Sequence, residues 1–357
     1  MNMNNKNSFI KGRGSGTNPP NRFESVSRTK ITGSDWEEDE EPSPASQFFP
    51  DSSRTIISYN SSPDVGFEAS VNPYRGCEHG CAYCYARPTH EYLGFSAGLD
   101  FETKIMVKEK APELLRKELS DKGWKPKILA MSGVTDPYQP IEKKLQLTRR
   151  CLEVLLEFRN PVAIITKNYG VVRDKDILSA LAQFQSAAVF ISMTTLDRDL
   201  CGTLEPRTAR PEKKLDAISI LHSEGVPTGV MVAPVIPGLT DWEIPRILQA
   251  AAEAGARFAG MVPLRLPYAV APLFEEWLER HLPGQKKKIL NRIRDIRGGT
   301  LNDPDFGSRM TGKGIFAKQI HDLFDISCRK LGLNQKEFRL STEYFRSPSG
   351  TQLSLFN

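Results

Sequence analysis

The sequence has no uninterrupted apolar stretch near the ~18 residues that a membrane-crossing helix needs. Its opening, MNMNNKNSFIKGRGSG, lacks the apolar core and small-residue cleavage site of a secretory leader. A cytoplasmic protein without a membrane span is therefore expected. Cysteine is scarce, six in 357 residues, and three of the six fall between positions 77 and 84. So sparse and clustered a set does not staple a secreted fold, and it points to thiol chemistry or metal binding. Dominance by one charge sign is also missing, since the net charge is only +5. What stands out is its unevenness. An acidic run covers 35–41, and a basic one, KKKILNRIRDIR, covers 286–297. The basic run suits either phosphate contact or a solvated helix face.

Residues 1–50 are rich in Asn, Ser, Pro, Gly and acid without a sustained apolar period, so a mostly disordered arm is expected there. Arg22-Phe23-Glu24 is the one piece of it suited to dock on the body. From Arg54 the texture changes: 55–57 reads as a short strand, and a loop follows into the cysteine cluster. Glu109 to Lys122 carries Pro112 in its first turn, Leu114, Leu115 and Leu119 on one face, and Gly123 as a stop, which predicts a helix. KILAM (127–131) then reads as a buried strand. The unit repeats, with helices at 145–158, 174–183, 210–224 and 241–254 alternating with strands at 162–165, 187–193, 228–233 and 257–262.

Short apolar strands alternating with amphipathic helices call for a parallel sheet with right-handed crossovers, as a barrel or an open doubly wound sheet. About six strands favour an incomplete barrel. The expected architecture is thus α/β: a disordered arm over 1–50, a partial (β/α)6 TIM-type barrel over 54–270, a helical extension over 271–346 and a mobile polar tail over 347–357.

Cys77-x3-Cys81-x2-Cys84 places three soft thiolates on one loop, a ligand type suited to iron–sulfur clusters or zinc. Three thiolates leave one iron of a [4Fe-4S] cluster without a protein ligand, and an open coordination position lets a cofactor or substrate bind the metal. The alternative is a Cys3His zinc knuckle completed by His79 or His90.

C-x3-C-x2-C with an aromatic just before the last cysteine, here Cys77-Glu-His-Gly-Cys81-Ala-Tyr83-Cys84, resembles the signature of the radical S-adenosylmethionine (SAM) superfamily. It stands between a first strand and a run of βα units, and the resemblance covers about 54–263. It implies a [4Fe-4S] cluster on Cys77, Cys81 and Cys84 whose unique iron chelates the amino and carboxylate groups of SAM. Reductive cleavage then yields methionine and a 5'-deoxyadenosyl radical that takes a hydrogen atom from substrate, and an electron donor is needed.

In a parallel βα fold ligands collect beyond the C-terminal strand ends. The loop Ser132-Gly-Val-Thr135-Asp136 occupies the place where the family binds the SAM amino group. Thr166 and Lys167 follow the next strand, and Ser192 with Thr194 closes the one after, offering hydroxyls and a cation to ribose and carboxylate. Arg207 in LEPRTARP is a candidate carboxylate partner, because guanidinium meets carboxylate bidentately. Val235, Ile236 and Gly238 in VAPVIPGLTD resemble the segment on which adenine packs. Cys151 and Cys328 read as buried inert thiols, whereas Cys201 reads as a loop thiol at the active face.

Cys-Ala-Tyr83-Cys84-Tyr85 and the following Thr-Asp loop are similar to the spore photoproduct lyase-like branch, which implies hydrogen-return roles for Tyr83 and Tyr85 and a nucleic-acid substrate. The hydrogen-donating cysteine that the lyase carries after its second strand is absent here, where the loop reads Ser132-Gly133-Val134. At the C-terminus Gln352-Leu353-Ser354-Leu355-Phe356 resembles the pentapeptide by which bacterial repair proteins dock on the DNA sliding clamp, a tether with two apolar anchors. Together these imply a radical enzyme working on DNA, in repair or base modification. A radical enzyme acting on RNA or a peptide and a zinc-binding clamp adaptor are the other readings.

Overall fold

A computed structural model describes residues 10–24, 45–337 and 339–348. Its strands are β1 (Gln47–Pro50), β2 (Ile57–Tyr59), β3 (Ala69–Val71), β4 (Tyr74–Arg75), β5 (Lys104–Val107), β6 (Leu129–Met131), β7 (Val162–Thr166), β8 (Ala187–Met193), β9 (Thr228–Val235) and β10 (Phe258–Pro263). The main sheet has the order β10-β9-β8-β7-β6-β3-β2. Every neighbouring pair from β3 to β10 is parallel, and β2 runs antiparallel to β3 at one edge. The sheet is open, with β2 and β10 as its edges.

The apolar runs account for this arrangement. AAVFISM in β8 is buried at every position but Phe190, as a central parallel strand covered on both faces should be. The helix Leu147–Phe158 turns Leu147, Cys151, Leu152, Leu155 and Phe158 inward, and Ile244–Glu253 does so with Ile244, Ile247, Leu248 and Ala251. Strand 187–193 forms as expected, and the other βα elements shift at their ends by a few residues. The helix expected from Asp241 opens with a 3-10 turn over Asp241–Glu243, leaving the α-helix to start at Ile244. The strand expected at 55–57 lies at 57–59 and forms a hairpin with β3, whose three residues are too few to signal themselves.

The arm expected to be disordered is instead, over 10–24, a docked strap. Gly14 and Ser15 donate backbone N–H to the Glu102 carboxylate (3.1 and 2.9 Å), Leu99 N–H reaches Thr17 O (3.0 Å) and Arg22 pairs with Glu91 (2.6 Å). These bonds come from backbone and polar groups, so they leave no apolar period in the sequence. Residues 47–50 of the same expected arm form β1, which joins β5 and β4 in a second, three-stranded sheet.

Beyond β10, helices Val270–His281 and Pro283–Ile296 form a second apolar core. In it Phe274, Trp277 and Ile293 meet Ile236, Leu264 and, from the cysteine loop, Ala82 and Tyr83. Helix Gly314–Leu331 packs on Ile244–Glu253 through Ile320, Phe324 and Cys328. Among the described residues no helix is long and apolar enough to cross a membrane. The Gln352–Phe356 motif lies outside the described residues.

Candidate active site

The cysteine loop leaves β4 and is fixed from several sides. Cys77 N–H donates to Phe101 O (2.9 Å), Ala82 N–H to Leu204 O (3.0 Å) and Arg207 N–H to His79 O (3.3 Å). The fully buried Arg87 guanidinium donates to Cys81 O through Nε (3.1 Å) and Nη2 (2.8 Å), to Gly98 O (2.9 Å), and to Glu102 (2.5 Å). Glu102 in turn holds the strap, whose Gly14 runs so close that a Cβ there would lie 1.7 Å from Gly80 O. Gly80 itself adopts the left-handed region (φ 64°), which costs other residues steric strain.

Cys77 and Cys81 are buried, Cys84 is partly exposed, and all three thiols are free. Burial pushes the thiols of Cys81 and Cys84 up, the latter to about 11, and neighbouring Glu205 adds to the rise at Cys81 and Cys77 to that at Cys84. Such a set becomes thiolate when a metal supplies the compensating positive charge. Among the described residues no group of three or more His, Cys, Asp or Glu converges as the ligands of a single ion do. Three soft thiols carried on one loop are the donor type that a [4Fe-4S] cluster takes, and Cys77, Cys81 and Cys84 would hold it here.

Beside the loop sits a buried charge centre. Lys167, just past β7, places Nζ within hydrogen-bond reach of Ser192 Oγ (3.0 Å), Thr194 Oγ1 (3.2 Å), Glu205 Oε1 (3.0 Å) and Ala233 O (2.9 Å). Glu205 also accepts from Lys214 Nζ (2.6 Å), from Thr194 (2.6 Å) and from the Tyr83 hydroxyl. Burial works against the Glu205 charge, but Lys167 and Lys214 hold its carboxyl well below the usual carboxylate range. Two ammonium groups share one carboxylate, so the centre carries an excess positive charge. The Lys167 side chain is 15% exposed against 1% for Lys214, which leaves Lys167 as the cation that a ligand can reach.

The other predicted site residues divide into positioning groups and outliers. Asp136 accepts from Thr166 Oγ1 (2.7 Å), Lys167 N–H (2.8 Å) and Tyr138 N–H (2.9 Å), and it faces His79 Nδ1 at 3.3 Å. Asp136 and Thr166 thus bind each other and set the backbone of Lys167. Burial opposes a proton on His79, yet Asp136 and Cys77 outweigh it and push its pKa up to about 10. Thr135 donates to Gly76 O (2.6 Å), tying the β6 loop to the residue before Cys77, and Ser132 sits half-buried in the same loop. Val235 and Ile236 are buried at the β9 exit, where Gly238 turns in the left-handed region (φ 79°).

Arg207 lies near Glu78 (3.6 Å) and Ser46 (3.4 Å), on the lining of a cavity of about 490 Å³. Tyr83 is buried against Glu205 and Thr194, whereas Tyr85 is half exposed and its hydroxyl donates to Gly133 O. Cys201 is not a loop residue. It lies on the short helix Arg198–Leu204, capped by the Asp197 carboxylate, and its buried Sγ is 3.9 Å from Glu205 Oε2. Seven residues give too little periodicity to reveal that helix. Glu205, Lys214, Arg87 and Glu102 were not singled out from the sequence. Glu205 stands two positions before Arg207 in LEPRTARP, but nothing in PEKKLD separates the buried Lys214 from the exposed Lys213.

The family model described as the radical SAM superfamily matches residues 71–251. The chain belongs to the radical SAM superfamily. An uncharacterized protein of Mycobacterium tuberculosis (strain H37Rv) is 35% identical over 243 residues, covering 67% of this chain and 70% of that one. A radical SAM Nalpha-GlyT isomerase of Pseudomonas phage M6 is 24% identical over 284 residues, covering 79% of this chain and 55% of the isomerase. Among solved structures, spore photoproduct lyase complexed with dinucleoside spore photoproduct superposes with a TM-score of 0.53 at 17% identity, covering 80% of each chain, which shows a shared fold. Radical SAM proteins use a [4Fe-4S] cluster and SAM, and a lyase variant of the same fold has been solved with AdoMet bound. When bound, the cluster supplies the electron that splits the SAM sulfonium bond to give a 5'-deoxyadenosyl radical.

Proposed function

We propose that this protein directs a SAM-derived radical at a nucleotide unit of nucleic acid, DNA foremost, in repair or modification of a base. The observation that carries the reading is the cationic helix Pro283–Ile296 set on the exit of β9. The Arg292 Cγ and Lys288 Cε carbons lie 3.2 and 3.8 Å from where a side chain at Gly238 would begin, which seats this basic helix beside the turn that follows β9, and the C-terminal ends of parallel strands are where ligands collect. Phosphates are the natural partner of such a face. The shared fold with a lyase solved on a dinucleoside lesion supports the same substrate class.

In this reading the six parallel strands form a partial barrel, Cys77, Cys81 and Cys84 hold the cluster, and Lys167 takes the SAM carboxylate with Ser192 and Thr194 beside it. Val235 and Ile236 pack on adenine, and Tyr83 and Tyr85 flank Cys84, the half-exposed Tyr85 toward substrate. Cys201, facing Glu205 from a helix, is not the hydrogen donor, and a thymine-dimer substrate is disfavoured by the thiol-free loop 132–136. Gln352, Leu353, Ser354, Leu355 and Phe356 tether the enzyme to the sliding clamp.

The test is anaerobic reconstitution with iron and sulfide, reduction with SAM, and assay for 5'-deoxyadenosine in wild type and Cys81→Ala. Deuterated DNA, RNA and peptide substrates are then offered. Deuterium appearing in 5'-deoxyadenosine from DNA supports the proposal, whereas transfer from peptide alone overturns it.

A further inference from the structure

Three arginines gather where β10 gives way to the C-terminal helices, and they are not equally satisfied. Arg297, almost wholly buried, spends its guanidinium on carbonyls: Leu264 O (2.6 Å), Pro263 O (3.0 Å), Ser308 O (3.2 Å) and Arg309 O (2.8 Å). It thereby brackets the β10 exit to the short helix Ser308–Thr311. Arg309 pairs with Asp64 and donates to Ser62 Oγ (2.6 Å), both from the β2–β3 hairpin. Arg265 has neither kind of partner. Its Nε is buried without a hydrogen-bond acceptor, its Nη1 touches only the Met310 sulfur (3.4 Å), and it makes no ion pair among the described residues.

A charged group left like this is costly unless something supplies the missing acceptor. Burial and the nearby Arg309 act against the Arg265 charge more than Tyr85 and the Arg309-bound Asp64 support it, so the fold holds a cation in place at a cost. Arg297 fixes the carbonyls of Pro263 and Leu264 just before it, and Arg309 ties down the neighbouring β2–β3 hairpin. The Arg265 guanidinium lies 5.7 Å from the centre of the Tyr85 ring, the residue after Cys84, which sets this cation beside the cluster loop. Aromatic surface flanks it. The Tyr85 ring is 49% exposed and tethered through its hydroxyl to Gly133 O, and Phe306, 63% exposed, lies under Arg309 at 4.4 Å.

We infer that Arg265 is a phosphate-binding residue of the substrate site, taking a phosphate of a nucleotide unit whose bases stack on Tyr85 and Phe306. A fixed guanidinium matches two phosphate oxygens, and exposed rings beside a cation are how single-stranded nucleic acid is held without sequence readout. The identity of the ligand rests on the nucleic-acid reading above; the anion site itself rests on the unpaired guanidinium.

The experiment uses reconstituted holoenzyme with Arg265→Gln and Arg265→Lys, read by fluorescence anisotropy of a labelled single-stranded deoxyoligonucleotide across a salt series. A second measurement reads melting temperature in phosphate against chloride at equal ionic strength. Arg265→Gln is expected to melt no lower than wild type without ligand, since an unpaired charge is removed. It should bind the oligonucleotide at least tenfold more weakly, with a salt slope shallower by about 0.7. Arg265→Lys should keep the slope and lose part of the affinity. The phosphate-induced rise in melting temperature should be confined to wild type and Arg265→Lys. Oligonucleotide binding and slope unchanged in Arg265→Gln, with an unchanged phosphate effect, overturn the inference. If wild type binds no oligonucleotide yet shows a phosphate effect that Arg265→Gln abolishes, the anion site stands and the nucleic-acid reading falls. Discrimination by Arg265 of a carboxylate-ended peptide but not of phosphate overturns the ligand class.

Discussion

Lys214 Nζ and Glu205 Oε2 meet 2.6 Å apart inside the core, with neither side chain more than 1% exposed, and the same carboxylate takes Lys167 through its other oxygen. Removing one partner of a buried pair costs about 3–5 kcal/mol because the other charge is left uncompensated. Lys214→Met should fall near the lower end, since Lys167 remains on Glu205, and the denaturant midpoint checks it. Lys214→Met with Glu205→Gln should recover part of the loss.

The same centre sets an acid limit. Glu205 has a folded carboxyl pKa well below its ordinary 4.5, so its contribution is fully present above that value and is lost as pH falls below it. Stability measured from pH 6 to pH 3 should decline less steeply in Glu205→Gln than in wild type. That variant should also be less stable at neutral pH, where Lys214 lacks its counter-charge.

His90 provides a second pH signature from a different cause. Burial lowers its pKa to about 4, more than the nearby backbone of Lys104 and the Asp100 carboxylate raise it. The unfolded chain takes up the proton near the ordinary 6.5, so stability is complete above that pH and drains away as pH falls toward 4, by up to about 3 kcal/mol. His90→Phe, packed between Phe95 and Phe101, should abolish this segment of the profile in thermal melts at pH 7 and pH 5.

Lys167→Met tests the accessible cation. Equilibrium binding of SAM to the reconstituted protein should weaken at least tenfold, about 1.4 kcal/mol, while iron and sulfide content stay at the wild-type level. Loss of the cluster together with SAM binding would instead mark Lys167 as structural.

Gly14→Ala tests the strap. A methyl group there would lie 1.7 Å from Gly80 O, so the strap must lift. Hydrogen exchange should quicken at Ser15, whose N–H is held by Glu102, and at Ala82, whose amide lies 3.0 Å from the same point. The melting temperature of the βα body should change little by comparison.

The parts of this fold that could be read in advance are those that carry an apolar run or a period. β8 at 187–193 carries its burial in a continuous apolar run, and the helices Leu147–Phe158 and Ile244–Glu253 carry theirs in i, i+4 spacing, and both survive in the bare sequence. The cysteine spacing was equally open to reading. What stayed hidden is held by individual polar contacts. Glu102 with the Gly14 amide, Arg87 with the Cys81 carbonyl and Glu205 with Lys214 use charged residue types that are common on surfaces or backbone groups that every residue carries, and only the folded chain distinguishes them. Arg207 is a guanidinium chosen by type that the chain sets against the cysteine loop, near Glu78, rather than among the hydrogen-bond partners of Lys167.

The strap also imposes an order on biogenesis. Residues 10–24 are synthesised before the body they dock on, yet Gly14 and Ser15 close on Glu102, 88 and 87 residues downstream, and cannot settle until that carboxylate has emerged. The cysteine loop is made in between. There is accordingly an interval during synthesis in which Cys77, Cys81 and Cys84 exist without the backing that Glu102 and the strap later give their loop.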